Sequence, residues 1–225
     1  MTQVLRGNIV HAPAMGRLDI LEHGCLVLED GVITGLYPDL PAHLEGAEVR
    51  DFGDRIIMQS FADMHLHAPQ YPMLGMGMDL PLLDWLNTYT FPTEARFADL
   101  DYARRVYRRL ATDLITNGTT RVCMFSSLHT DATLVLMDEL ERAGVTGYVG
   151  KVNMDRNGLP GKLQETTEES VQETLRWLDA CHFEHIKPIL TPRFTPSCTN
   201  ELMTQLGKLA NERGLYVQSL SLIHI

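Results

Sequence analysis

Asp63-Met64-His65-Leu66-His67-Ala68-Pro69-Gln70 is the stretch from which the fold can be predicted, because it places two histidines two residues apart at the end of an apolar run that begins at Ile56. In a β-strand, residues i and i+2 point to the same face. Both imidazoles can therefore reach one metal ion, at roughly 2.0–2.1 Å from nitrogen to zinc. A lone His-x-His pair is also compatible with two unrelated polar residues near a strand end. Other parts of the sequence are needed to distinguish between these interpretations.

The composition is that of an ordinary globular protein, with 225 residues, 44% apolar and 21% charged. A formal net charge of -10 argues against a nucleic-acid partner, whose binding surface would be basic. The sequence has no run of about 18 apolar residues and no signal-peptide pattern, which predicts a cytoplasmic protein without a membrane partner. Four scattered cysteines without a Cys-x-x-Cys pair are expected to be free thiols.

Residues 1–58 are predicted to form a small β-sandwich-like domain that is incomplete by itself. Alternating apolar residues predict short strands at 5–10, 24–29, 32–37 and 49–52. Asp30-Gly31 predicts a hairpin between the second and third strands, because glycine accepts the positive φ that a primed turn requires. A unit of fewer than about 60 residues buries too little surface to be stable alone.

Residues 59–219 show an alternation of strands and helices. Helices are predicted at 99–116, 131–143, 167–181 and 200–213, and strands at 119–125, 147–152, 186–191 and 215–219. With the His-x-His strand this gives about five parallel strands. They fit either an open doubly wound sheet or the first part of an α/β eight-stranded TIM barrel, which typically needs about 250 residues. No glycine-rich loop follows the first strand, which weighs against a nucleotide-binding sheet.

Barrel enzymes carry their chemistry at the carboxyl ends of the strands, where several polar residues of this chain fall. His65, His67 and Gln70 follow the first predicted strand, and Arg193 with Phe194 follows the fourth. The Arg193 guanidinium can hold a planar carbonyl or carboxylate group by its fork geometry, or it can pair with a local carboxylate. Phe194 offers a stacking face.

Two further residues leave alternatives open. His129 follows the second predicted strand, where it can contact substrate, support the site as a second layer, or make a local loop hydrogen bond. Trp85 lies in a Met-, Pro- and Gly-rich insert that follows the predicted strand of His65 and His67, called the metal strand below. It can be ordinary core or a lid-like pocket wall.

Beyond these single residues, the chain resembles the amidohydrolase superfamily of metal-dependent hydrolases, and within it the guanine deaminase family. The most specific stretches are Asp63 to Tyr71 and Lys187-Pro188-Ile189-Leu190-Thr191-Pro192-Arg193-Phe194. Further matching stretches lie at residues 79–86, 88–92, 117–120, 149–152 and 165–170. The resemblance runs from about residue 4 to Ser219, and it is much more specific than the His-x-His pair.

The resemblance implies a distorted (β/α)₈ barrel with one zinc ion and a flanking β domain completed by the end of the chain. It implies hydrolytic deamination of guanine to xanthine and ammonia by a homodimeric enzyme. His65 and His67 would be the first two zinc ligands. Gln70 and Arg193 would bind the polar edge of the purine, and Phe194 would wall the base.

The family pattern departs from this chain after Ser219. There the family has a histidine, the third metal ligand, and then a glutamate that shuttles the proton, whereas this chain continues with Leu220. We therefore expect a truncated chain without a retained catalytic residue, with a non-native tail at residues 220–225, inactive and poorly soluble alone. The alternatives are a deaminase of another heterocycle, such as a pterin, and a non-catalytic fragment.

Overall fold

The computed structural model describes residues 1–221, which form parts of two compact units, Met1–Ser60 and Phe61–Ile225. The non-native tail predicted at residues 220–225 lies outside the described residues from position 222 onward. Each unit is described by itself below.

The first unit is one four-stranded sheet in the order β3-β2-β1-β4. β1 pairs antiparallel with β2 and parallel with β4. The predicted hairpin at Asp30-Gly31 is confirmed, since φ is 49° at Asp30 and 83° at Gly31 and the flanking strands pair antiparallel. The strand bounds are β1 Thr2–Ala14, β2 Arg17–Glu29, β3 Val32–Tyr37 and β4 Glu48–Met58.

One prediction for this unit needs correction. The first two strands are longer than predicted, because a second hairpin at residues 15–16 joins them, with Gly16 at a φ of 75°. The apolar run before the histidines is divided between two strands. Ile56 and Met58 belong to β4, where they pair with β1, and the metal strand begins only at Phe61. The described residues of the unit form a single sheet, so the second layer of a sandwich stays a prediction.

The second unit alternates strands with helices, as predicted. The strands are β5 Phe61–His67, β6 Thr119–Phe125, β7 Thr146–Gly150, β8 Val152–Asn153, β9 Ile186–Pro188 and β10 Thr191–Pro192. The helices are α1 Leu82–Trp85, α2 Phe91–Ala95, α3 Leu100–Thr116, α4 Thr130–Ala143, α5 Thr167–Ala180 and α6 Asn200–Arg213. The four long helices match the predicted ones to within one residue at each end. For example, Asp99 caps α3 by accepting from the backbone N–H of Asp101.

The strand order separates the two fold alternatives. β5, β6, β7 and β9 are neighbours in chain order and all parallel, and β8 pairs parallel with β10. A doubly wound sheet reverses its order at a switch point, whereas a barrel adds each strand beside the previous one. The described part of the second unit is therefore the first part of a barrel.

The fifth predicted strand, at 215–219, is wrong as a continuous strand. Val217 and Leu220 make only isolated parallel bridges, to Leu190 and Phe194. The neighbouring segment is itself interrupted between β9 and β10, so it offers no long ladder for pairing. The chain nevertheless follows the barrel order at this point, as the backbone hydrogen bond from Gln218 N to Leu190 O at 2.9 Å shows.

The core of the second unit lies between the parallel strands and the helices that cover them. Its largest fully buried members include Tyr107 on α3, Leu136 on α4 and Trp177 on α5. The four cysteines are free thiols, as predicted. Within residues 1–221, no helix is both long and apolar enough to cross a bilayer.

Candidate metal and substrate site

The metal strand β5 is irregular at the histidines. The register with β6 shifts between Asp63 and Leu66, so that Met64 and His65 together oppose one residue of β6. The backbone N–H of His65 donates to the Asp63 carboxylate at 3.1 Å. Such a bulge re-aims a side chain and is common beside active sites. Simple alternation along a strand, from which the pair was predicted, is therefore only part of its geometry.

The two imidazoles converge as predicted. The ring centroids of His65 and His67 are 5.1 Å apart in an edge-on arrangement. Both rings contact Phe125, the last residue of β6, at 5.3 Å for His65 and 4.4 Å for His67, which stacks on it. Phe125 is buried, so its contacts restrict the positions of both rings. The pair therefore sits at the carboxyl end of the first barrel strand.

The electrostatics of His67 suit a metal ligand. Burial lowers the pKa of His67 to about 4; the charges of Arg193 and His65 lower it further, and Glu94 acts in the opposite direction. The ring is therefore neutral at pH 7. A histidine must be neutral to offer a nitrogen lone pair to a metal ion.

The donor set within the described residues is incomplete. Residues 1–221 hold no group of three His, Cys, Asp or Glu side chains that would bind a metal ion. A catalytic zinc site has three protein ligands and one open position. His65 and His67 fit as two of the three. Leu220, where the family pattern has the third, lines the same cavity as His67.

A cavity of about 340 Å³ opens beside His67. Among its walls are all three residues predicted to bind substrate, Gln70, Arg193 and Phe194, and also Trp85. The Trp85 indole N–H donates to the carbonyl of Met76 at 2.8 Å. Trp85 lines the cavity and also packs against the buried cluster that includes Leu86 and Phe91, so the structure agrees with both interpretations of this residue. The remaining lining residues are Leu82, Leu86, Leu220 and Ser221.

Glu94 is the member of this site that sequence reasoning missed. Its carboxylate accepts from Arg193 through both terminal nitrogens, with Nη2 to Oε1 at 3.0 Å. The same Oε1 accepts from Gln70 Nε2 at 3.0 Å. Glu94 and Arg193 are each only 1% exposed. Arg193 is therefore paired with a carboxylate, but not with a local one, since Glu94 lies 99 residues away in sequence, and Arg193 also lines the cavity.

An irregular helical run brings Glu94 to this place. α1 passes into a π-helical turn, Leu86–Thr90, which continues directly into α2. A π turn inside a helix shifts the faces on either side of it and is frequent at functional sites. Leu86, Thr90, Phe91 and Glu94 are the buried members of this run. A carboxylate at helical spacing from Leu86, Thr90 and Phe91 was the signal available in the sequence.

The Arg193 backbone is fixed by the end of the sheet. Its N–H donates to the carbonyl of Asn153 at 3.2 Å, next to the pairing of β8 with β10. Its guanidinium carbon lies 5.1 Å from the centroid of the Phe91 ring. An aromatic face at this distance attracts a guanidinium.

His129 does not line the cavity of His67. It directly precedes α4, and its Nδ1 lies 3.2 Å from the Ser127 hydroxyl. It borders a separate cavity of about 300 Å³ with Thr130 and Arg176. Burial lowers the pKa of His129. Of the alternatives for this residue, the structure shows the local loop hydrogen bond.

Parallel strands in barrel order, with two histidines at the carboxyl end of the first, define the class as a (β/α) barrel. The family model of the amidohydrolase family matches residues 56–219. The chain belongs to the amidohydrolase family, and membership implies a divalent metal.

Individual relatives agree with this assignment. The chain is 40% identical to guanine deaminase of Rattus norvegicus, over 96% of this chain and 50% of that protein. It is 36% identical to guanine deaminase of Dictyostelium discoideum, over 96% and 52%. The crystal structure of guanine deaminase from C. acetobutylicum with guanine in its active site superposes with a TM-score of 0.90 at 43% identity, over 97% of this chain and 52% of that one. The chain spans about half the length of the curated relatives it matches.

Proposed function

We propose that the protein carrying this sequence is a zinc-dependent guanine deaminase that converts guanine and water to xanthine and ammonia. Zinc, one ion per site, is the metal we assign to His65 and His67. We further propose a cytoplasmic homodimer acting in purine breakdown. These assignments rest on the likeness to guanine deaminases of known sequence and structure.

The observation that carries the proposal is the composition of one cavity. It combines a metal-binding histidine, His67, with an amide, Gln70, a guanidinium, Arg193, and an aromatic ring, Phe194. Guanine is planar and neutral, and its edges alternate hydrogen-bond donors and acceptors. Recognition of such a base requires stacking and hydrogen bonds of fixed direction rather than net charge. The cavity supplies both.

The roles of the residues follow from their chemistry. Phe194 stacks on the purine, and Gln70 and Arg193 bind its polar edge, so the ring is held in one orientation. His65 and His67 would hold the metal, which when bound supplies the Lewis-acid chemistry that makes water a nucleophile at neutral pH. Holding the base rigidly beside that position lowers the entropic part of the barrier. The described residues assign no proton shuttle.

The test is turnover by the protein expressed from its intact gene. With zinc supplied, guanine absorbance should fall and xanthine should appear, and a chelator should abolish the activity. A panel with a pterin and another aminopurine compares the alternative heterocycles under the same conditions. Absence of guanine turnover by the folded, zinc-loaded protein would falsify the proposal.

A further inference from the structure

The Gln70 amide has one orientation in the cavity because of its partner. A carboxylate oxygen only accepts hydrogen bonds, so Gln70 must turn its NH₂ group to Glu94, as the 3.0 Å contact shows. The carbonyl oxygen of the amide is then the acceptor left for a ligand, beside the second N–H of the same amide. Gln70 lines the cavity, so this oxygen offers an acceptor to whatever N–H group a ligand brings.

The orientation of the Arg193 guanidinium is also fixed by Glu94, but this group offers a ligand donors instead of an acceptor. Both of its terminal nitrogens donate to Glu94, and Phe91 lies against its face. Its Nε–H is buried and has no hydrogen-bond partner within residues 1–221. Arg193 also lines the cavity, and each of its terminal nitrogens carries a second N–H besides the one that it donates to Glu94. These N–H groups are the donor capacity that the arginine keeps for an acceptor atom of a ligand.

We propose that Glu94 is a positioning residue that sets the polarity of this edge of the cavity. It presents one acceptor, from Gln70, beside donors from Arg193. This inference rests on the proposed function and assigns to it a determinant of specificity. Guanine carries an N1–H donor beside a C6 carbonyl acceptor. 2,6-Diaminopurine keeps the 2-amino group but inverts these two groups, with an acceptor at N1 and a donor amino group at C6.

A purely structural role for Glu94 makes a different prediction. A buried ion pair that only stabilises the fold lowers activity toward both purines by the same factor when it is weakened. A positioning role changes their ratio, because Glu94→Gln brings both a donor and an acceptor and allows the Gln70 amide to reverse. Sites built to hydrogen-bond one pattern reject the unmatched pattern strongly.

The experiment compares kcat/KM for guanine and 2,6-diaminopurine in the protein from the intact gene. E94Q should lower the preference for guanine by about tenfold or more, which corresponds to about 1.4 kcal/mol. The matched control is E139Q. Glu139 is also buried, at 5% exposed, and also accepts two bonds from one arginine, Arg108, but it lies on α4 outside the cavity. E139Q should lower the melting temperature and leave the preference unchanged.

Other results of this experiment bear on the proposal as follows. If E94Q lowers kcat/KM for both purines by one factor, as E139Q would, the positioning role is overturned. If E94Q does not accumulate as folded protein, E94D replaces it, since the shorter side chain cannot reach Gln70 and Arg193 together and should shift the same ratio. If the wild-type protein does not turn over guanine, the proposed function fails. The ratio of Kd values for the two purines, measured by calorimetry on wild type and E94Q, then decides the positioning role by itself.

Discussion

At the scale of single residues, the proposed metal site depends on two imidazoles held against one aromatic ring. His65 and His67 both contact Phe125, and burial keeps His67 neutral. His67→Ala is therefore expected to weaken zinc binding by at least about tenfold, because a ligand nitrogen is lost. Equilibrium dialysis with a zinc indicator measures this. His182→Ala, at an exposed histidine outside the cavity, is the control and should bind zinc like wild type.

At Leu220 the opposite experiment is possible, in which an imidazole is added to the site instead of removed. It lines the cavity beside His67, and its N–H donates to the carbonyl of Arg193 at 2.9 Å, so its backbone position is fixed. Leu220→His in this 225-residue chain should add a third imidazole and tighten zinc binding by about tenfold or more. Leu159→His, at a half-buried leucine that does not line the cavity, should leave the affinity unchanged. Equal affinities of the Leu220→His and wild-type chains would contradict this prediction.

At the scale of elements, the close approach of neighbouring barrel strands depends on glycine. A Cβ built on Gly150, the last residue of β7, would lie 1.7 Å from the Thr191 hydroxyl oxygen and 2.5 Å from the Ile189 carbonyl oxygen. Gly150→Ala should therefore destabilise the fold by about 3 kcal/mol, since overpacked sites in cores cost this much. Gly207 is exposed on α6 and has nothing within 4 Å of its Cβ position.

Gly207→Ala is the matched control for Gly150→Ala, because it makes the same substitution at an open position in a helix. It should stabilise the protein by about 1 kcal/mol, because alanine loses less backbone entropy on folding than glycine. Thermal or denaturant unfolding of the two variants measures both shifts. A Gly150→Ala variant as stable as wild type would show that β7 and the β9–β10 segment are not in contact as described.

At the scale of the whole molecule, the edge of the second unit is exposed. Among the described strands, β5 pairs only with β6, and its Phe61 and Met64 are 57% and 68% exposed. Free apolar strand edges pair with other copies. The 225-residue chain expressed alone should therefore self-associate. Met64→Lys should reduce the self-association, because it places a charge on the free edge. Leu100→Lys, at the start of α3, is the control and should leave it unchanged. Sedimentation velocity measures the association state of each variant.

Much of the second unit could be predicted from the sequence, because its signals are local. The four long helices have clear periodicity and caps, such as the Thr166 capping box of α5, which the structure confirms. The hairpin at Asp30-Gly31 is likewise fixed by two residues. The predicted strand at 215–219 was wrong because pairing depends on the neighbouring strand, which is interrupted between Pro188 and Thr191.

By itself, the sequence determined the residue types of the site, His65-Leu66-His67, Gln70 and Arg193-Phe194, and the order of strands and helices that brings them to one rim. Only the tertiary structure decided the bulge at His65 and the hydrogen bonds of Glu94 to Gln70 and Arg193. The physical reason is distance along the chain. Glu94 lies 24 residues from Gln70 and 99 from Arg193, so no local pattern links them. Their common hydrogen-bond network exists only once the barrel has brought all three together, with Glu94 and Arg193 buried and Gln70 half-buried.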